Sequence, residues 1–590
     1  MARLVDTTLR ILAQEPMAGR VPASLQLEAC ELLDSAGFHV LEVTGGGCFH
    51  SAIQRGTESP WERIRNLKRR AAHTPLGMAL RGRFLVGMQP AEQDVIRRFV
   101  DTAAESGISV FRMHDPMNDP EDLIGPVEAV RETGARLHLG IVYDGNPDGE
   151  ARLIARAPEM AALGADRLLL LDPSGALDPS RAGGLVAELR DAAGIPVGLY
   201  PQGPGGTSLA VAIEAARAGA DPISVATYSL AVAGHRTSSE LLCQAIDGLG
   251  LESGINPGIL WEVAEMLDRA LFADTALPPP LSAHVSLLAA LKGVPAGLVA
   301  GVERRLDAIG AQDRLSEVLD EVQRVRDDLG SPPAASPLGD VIARQAIDHV
   351  LEGRRWHAID GEMRALILGE WGRPPEAIAP DVAALAAAGT GAADVPVPAD
   401  MDSARAEVGE LATSEEELCL VALFGEDAIP LLERLRGRHQ AIATGVTNEE
   451  EERIRGLVGL LEETGLGELE IEEGGIRISL RQQTQVQQVI AAAPIAAAPA
   501  AAAAAPASSG EQIASPMVGT FYRSPGPGEP AFVEEGARVE VGQVLCILEA
   551  MKLFNEFKAE QAGTITRILV EDGSPVEFGQ ALFEIDPSGA

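Results

Sequence analysis

Between Arg3 and about Leu249, short β-like runs beginning near Leu4, Val40, Leu76, Val110, Leu137, Leu168, Val197 and Ile223 alternate with helical stretches. No other feature restricts the fold so tightly. Parallel strands joined by helices need cover on both faces, and eight units of this spacing close into a (β/α)8 barrel. In such a barrel the active-site face lies where the strands end. The residues at those ends are polar: Glu42, Arg81, His114, Asp115, Asp172 and Tyr200.

Beyond the barrel, placed at residues 1–272, a mainly helical extension is expected over 273–437, so the chain reads as multidomain. A small helix-hairpin follows over 447–483. There Ile454, Leu457, Val458 and Leu461 keep helical spacing, Leu469 and Ile471 alternate with Glu, Gly474 and Gly475 supply a turn, and Ile476, Ile478 and Leu480 alternate again. A unit this small buries little by itself and needs a docking surface, on its own chain or on another protein. Residues 484–512 are rich in Ala and Pro, too poor in large apolar groups to repay ordering, and read as a tether.

The segment 513–587 is expected to be an all-β flattened sandwich, because it repeats itself. Gly536, Val539, Glu540, Gly542, Gln543 and Leu545 recur 37 residues later as Gly573, Val576, Glu577, Gly579, Gln580 and Leu582. Gly519-Thr520 recurs as Gly563-Thr564 at an offset of 44, so the first half carries seven extra residues between Thr520 and Glu535. Such self-similarity marks two related structural halves. Lys552, in the run Glu549, Ala550, Met551, Lys552, falls at the turn that would join them. A hairpin tip suits a residue that must be modified and must reach a distant site.

Charge and cysteine content narrow the remaining classes. A net charge of −38 disfavours nucleic acid as a partner, since phosphate contacts need a basic surface. Five scattered cysteines, with no CxxC pair, indicate neither a disulfide framework nor a zinc site. With no long apolar run and no signal-peptide core, the expectation is a cytoplasmic protein outside the membrane.

The C-terminal words SPMVGTFYRSPGPG, VEVGQVLCILEAMK and GTITRILVEDGSPVEFGQALFEI resemble the biotinyl domain of the biotin carboxyl carrier protein of acetyl-CoA carboxylase. The extra Tyr522-Arg523-Ser524-Pro525-Gly526-Pro527 is similar to the protruding thumb of that carrier. A lipoyl domain is the nearest alternative, opposed by Met551 and the thumb. IRGLVGLLEETGLGELEIEEGGIRIS is similar to the carrier's N-terminal part. The resemblance implies covalent biotin on Lys552, attached by a biotin protein ligase, and a separate biotin carboxylase as partner.

The words VDTTLR, AGFHVLEVTGG, PWERIRNLK, LRGRFLVGM, VFRMHDPMND, DEVQRVRDDLGSPP and DGEMRALILGEWGRPP resemble biotin-dependent carboxyltransferases over about residues 3–437. In that family a divalent metal polarises a 2-oxo acid and stabilises the enolate formed during transfer. Its ligands are an Asp, two His spaced i, i+2, and a carbamylated Lys. At the aligned positions this chain has Ile11, Tyr200, Gln202 and Leu171. The chain's ten histidines include no i, i+2 pair, and its four lysines are 68, 292, 552 and 558. Other family positions persist: Arg81 matches an arginine that contacts the 2-oxo acid, Gln14 matches a motif residue, and Ser336 replaces a proton-shuttling threonine. Arg81 could equally form a structural ion pair with Glu42 or Asp115.

Two functions follow from these resemblances. One is a carrier subunit of an acetyl-CoA carboxylase, serving separate acetyl-CoA carboxyltransferase subunits that make malonyl-CoA, with the barrel an inactive scaffold in a homo-oligomer. The other is a 2-oxo acid carboxyltransferase or decarboxylase with an altered, metal-independent site.

Overall fold

The computed structural model describes residues 2–55, 58–145, 149–204, 206–271, 283–388, 398–443, 468–473, 476–481, 511–514, 519–524, 531–539, 543–550, 553–559, 562–570, 574–576 and 580–586. They form two compact units, 1–480 and 481–590. The first unit contains eight parallel strands, β1 (Leu4–Asp6), β2 (Val40–Gly45), β3 (Leu76–Leu80), β4 (Ile108–His114), β5 (Arg136–Val142), β6 (Arg167–Asp172), β7 (Val197–Pro201) and β8 (Ile223–Val225). They close in sequence order, with β1 pairing β8 through Val5 opposite Ser224. Every strand therefore lies within two residues of its expected start.

These strands hold because almost every residue in them is buried, as in a sheet covered on both faces. Val5, Val40 and Val110 pack together inside the barrel. Helices such as Gln93–Glu105 bury Val95, Ile96, Phe99 and Val100 against the outer face. Local chemistry sets the helix ends. Asp178 caps the helix Pro179–Ala193 by accepting from Ser180 N, and Gly194, with φ of 67°, takes the left-handed position that ends it.

The helical region after the barrel divides its side chains between two cores. Residues from Val285 to Ala386 build their own core, which also takes in Phe84 and Met117 from the loops after β3 and β4. Phe84 meets Trp371 edge to face at 5.0 Å, and Arg373 binds Asp119 at 2.9 Å. This lobe thus covers the strand-end loops and carries residues 335 and 336 to the barrel mouth. By contrast, Met401, Leu418, Leu420 and Leu431 join the barrel's own core.

A two-stranded sheet, β9 (Glu468–Glu473) with β10 (Ile476–Arg481), lies where the hairpin is expected. The helix expected around Ile454–Leu461 lies outside the described residues.

The second unit holds β11 (Glu511–Ala514), β12 (Gly519–Tyr522), β13 (Arg538–Val539), β14 (Val544–Ala550), β15 (Leu553–Lys558), β16 (Gly563–Ile568), β17 (Ser574–Val576) and β18 (Ala581–Asp586). They form two four-stranded sheets, ordered β11-β18-β16-β13 and β15-β14-β12-β17. Exchanging each strand of β11–β14 with its counterpart in β15–β18 turns one order into the other. This is the twofold relation written in the sequence repeat. Each sheet takes two strands from each half, so the halves interleave. Phe521, Leu545, Ile565, Leu582, Phe583 and Ile585 fill the space between. Backbone hydrogen bonding of Phe532 N to Arg523 O at 2.9 Å closes the base of the seven-residue insertion. No helix among the described residues is long and apolar enough to cross a membrane.

Candidate functional site

Glu42, 3% exposed, lies in the middle of β2 and gathers a buried network. Arg112, from β4, donates to it through Nε at 2.7 Å and Nη2 at 3.2 Å, and Arg10 donates from the helix after β1. Tyr200 Oη at the end of β7 donates to Glu42 at 2.7 Å and accepts from Arg10 Nη1 at 2.9 Å. Burial alone would raise the Glu42 carboxyl. The Arg112 and Arg10 guanidiniums, with the Arg112 and Tyr200 hydrogen bonds, overcome it and hold the group far below the usual carboxylate range. Burial, followed by the Glu42 charge, raises the Tyr200 phenol. Tyr200 is therefore a neutral, fixed donor.

The family resemblance aligns four positions of this chain with metal ligands, and two of them, Ile11 and Leu171, are apolar. Leu171 and Tyr200 pack with Val142, Leu169 and Ala335 in one buried cluster, and Ile11 is 3% exposed. Gln202 is half-buried, and its segment bridges Arg236. A divalent cation needs oxygen or imidazole donors, which Ile11 and Leu171 lack. Among the described residues no group of three or more His, Cys, Asp or Glu is placed to share a metal ion. The residues present do not fit the family's metal.

Arg81, Ser336 and Gln14 do converge. Arg81 Nη1 donates to Ser336 Oγ at 2.9 Å and Nη2 to Val86 O at 2.6 Å. A Cβ on Gly46 would collide with the Arg81 guanidinium, and one on Gly47 would stand 3.2 Å from Gln14 Cβ and Oε1. Both side chains thus flank the start of the helix Gly46–Arg55. Burial pulls Arg81 down to about 10, opposed by Asp340.

The expected alternative for Arg81, an ion pair with Glu42 or Asp115, is corrected. Glu42 is taken by Arg10 and Arg112. Asp115, fully buried, accepts from Met117 N at 2.7 Å and Asp119 N at 2.9 Å through one oxygen. Burial raises it to about 7. Asp172 is likewise a loop organiser, accepting from Gly175 N at 2.8 Å, Ala176 N at 3.1 Å and Leu177 N at 3.1 Å.

Sequence reasoning missed Arg10, Arg112 and Arg236 as site residues. For Arg112 a signal existed: it and Glu42 are opposite charges inside otherwise apolar strands, where only a paired charge is tolerated. Arg236, over the Tyr200 ring with Cζ 5.6 Å from its centroid, carried none.

In the second unit, Glu549 and Ala550 end β14, and Ala550 pairs with Leu553 at the start of β15. Met551 and Lys552 lie outside the described residues. In the sequence they are the two residues between β14 and β15, at the junction of the two repeats.

A closed parallel barrel with a cationic mouth and a twofold-repeated sandwich make up a two-module protein. Residues 511–585 match the family described as "Biotin-requiring enzyme" and residues 290–460 match "Conserved carboxylase domain". A pyruvate carboxylase subunit of Methanocaldococcus jannaschii is 30% identical, over 65% of this chain and 68% of that one. The 2-oxoglutarate carboxylase large subunit of Hydrogenobacter thermophilus is 28% identical over 94% of this chain and 90% of that one. The biotin carboxyl carrier protein of acetyl-CoA carboxylase of Pseudomonas aeruginosa is 50% identical, but over 22% of this chain and 97% of its own length. The chain belongs to the biotin-dependent carboxylase family that includes the Methanocaldococcus pyruvate carboxylase chain. Covalently bound biotin is its cofactor.

Proposed function

We propose that this chain is the biotin-carrying subunit of a biotin-dependent carboxylase, that Lys552 bears the biotin, and that its barrel does not carry out metal-dependent carboxyl transfer to a 2-oxo acid. Biotin supplies the carrier for the carboxyl group, loaded by a separate biotin carboxylase. The observation that carries the reading is the burial of Ile11, Leu171 and Tyr200 in packed and ion-paired surroundings at the family's metal-ligand positions. The 50% identity to an acetyl-CoA carboxylase carrier favours delivery to separate acetyl-CoA carboxyltransferase subunits, yielding malonyl-CoA. Tethering the biotin to a large scaffold raises its effective concentration near those enzymes.

A second reading rests on the hydrogen bond between Arg81 and Ser336. It keeps an anion-binding arginine and a hydroxyl together at the mouth, as a metal-independent transferase acting on a 2-oxo acid would require. The long matches to pyruvate and 2-oxoglutarate carboxylase chains support this reading equally.

Assay of the purified, biotinylated protein for oxaloacetate decarboxylation and pyruvate exchange, with EDTA and with added divalent metal, separates the possibilities. The carrier reading expects no turnover in either condition. Turnover with EDTA selects the second reading, and turnover that needs metal overturns both. Lys552→Arg is expected to abolish avidin reactivity without shifting the thermal midpoint. Biotin persisting in that variant would exclude Lys552 as its site.

A further inference from the structure

We propose that Arg236 takes the place of a metal ion at the barrel mouth and binds the carboxylate of a small anionic ligand without a divalent cation. The proposal concerns binding rather than turnover, so it goes beyond the carrier reading and does not depend on it.

Arg236 touches the surroundings of three of the four aligned ligand positions. Its guanidinium stacks towards the Tyr200 ring, and its backbone forms an isolated β-bridge with Gln202. A Cβ on Gly234 would lie 3.7 Å from Ile11 Cγ2 and 3.8 Å from Arg236 Cγ, so both side chains border Gly234. A cation therefore stands among the positions that the resemblance assigns to the metal's ligands.

Arg236 Nε and Nη1 are buried and have no partner among the described residues. Buried donors left unmade are costly, and a guanidinium's planar fork matches a carboxylate with two parallel bonds.

Around Tyr200 the guanidiniums of Arg10, Arg112 and Arg236 face one carboxylate, Glu42, which the first two already engage. Among the described residues Arg236 makes no ion pair of its own, and Glu42 acts on it only at longer range. Because its Nε and Nη1 are buried, the attraction of Arg236 for an anion is less screened than at the surface. In a chain with a net charge of −38, this local excess of positive charge is built against the global trend.

The test is calorimetric titration of the full-length biotinylated protein with oxalate, in EDTA and again with MgCl2 or MnCl2. Saturable binding in EDTA is expected, with no gain on adding metal. R236Q should weaken it at least tenfold, and R236K should retain part of the affinity because it keeps the charge and loses the fork. Should R236Q fail to fold by circular dichroism, R236K and the wild-type metal comparison carry the test. Absence of oxalate binding, binding that requires metal, or wild-type affinity in the Arg236 variants would overturn the proposal. Avidin reactivity of the same preparation reports on the carrier role separately.

Discussion

At Glu42 one carboxylate accepts from Arg10, Arg112 and Tyr200 while 3% exposed. Removing one partner of a buried ion pair leaves the other charge uncompensated, at about 3–5 kcal/mol. Glu42→Gln should therefore destabilise the barrel by about that amount, measured as a fall in the urea midpoint at constant slope. His138, 2% exposed, presents an opposite case. Burial, reinforced by Arg167 and His39, lowers its pKa from 6.5 to about 3. The unfolded chain then takes up a proton below pH 6.5 that the folded chain refuses until about pH 3. Stability from this group is whole above pH 6.5 and falls with pH down to about 3. His138→Gln should give a shallower loss of stability than wild type between pH 6.5 and about 4, read from urea midpoints across that window.

At the scale of elements, the loop after β6 is organised by Asp172, whose carboxylate gathers the N–H groups of Gly175, Ala176 and Leu177. Those donors have no helix or ladder to satisfy them. Asp172→Ala should cost about 3 kcal/mol, a buried-donor penalty, with loss of midpoint in thermal unfolding. The strands themselves were legible, because continuous apolar runs between helices carry their burial in their composition. The sandwich was legible for a different reason. Its repeat of Gly536 to Leu545 as Gly573 to Leu582 encodes the exchange of two sheets. Interleaving of the halves was not legible, since strand pairing depends on contacts remote in sequence, such as β12 with β17 through Gly519 and Val576.

For the molecule as a whole, the division into 1–480 and 481–590 gives each unit its own core. Separate cores predict at least two calorimetric transitions, and a chain ending at Leu480 should lose one of them with the avidin reactivity. A single cooperative transition for the full chain would contradict this.

The sequence by itself determined the eight strands, the helical lobe and the repeated sandwich, because each of these is written in local pattern or in residue identity. Only the tertiary structure decided the partners. Barrel closure joins Glu42 to Arg112, 70 residues away, and to Tyr200, 158 away, and the helical lobe carries Ser336 across 255 residues to Arg81. Partners in a buried charge network are chosen by which side chains the closed barrel brings within hydrogen-bond reach, and the spacing of residues along the chain does not contain that choice.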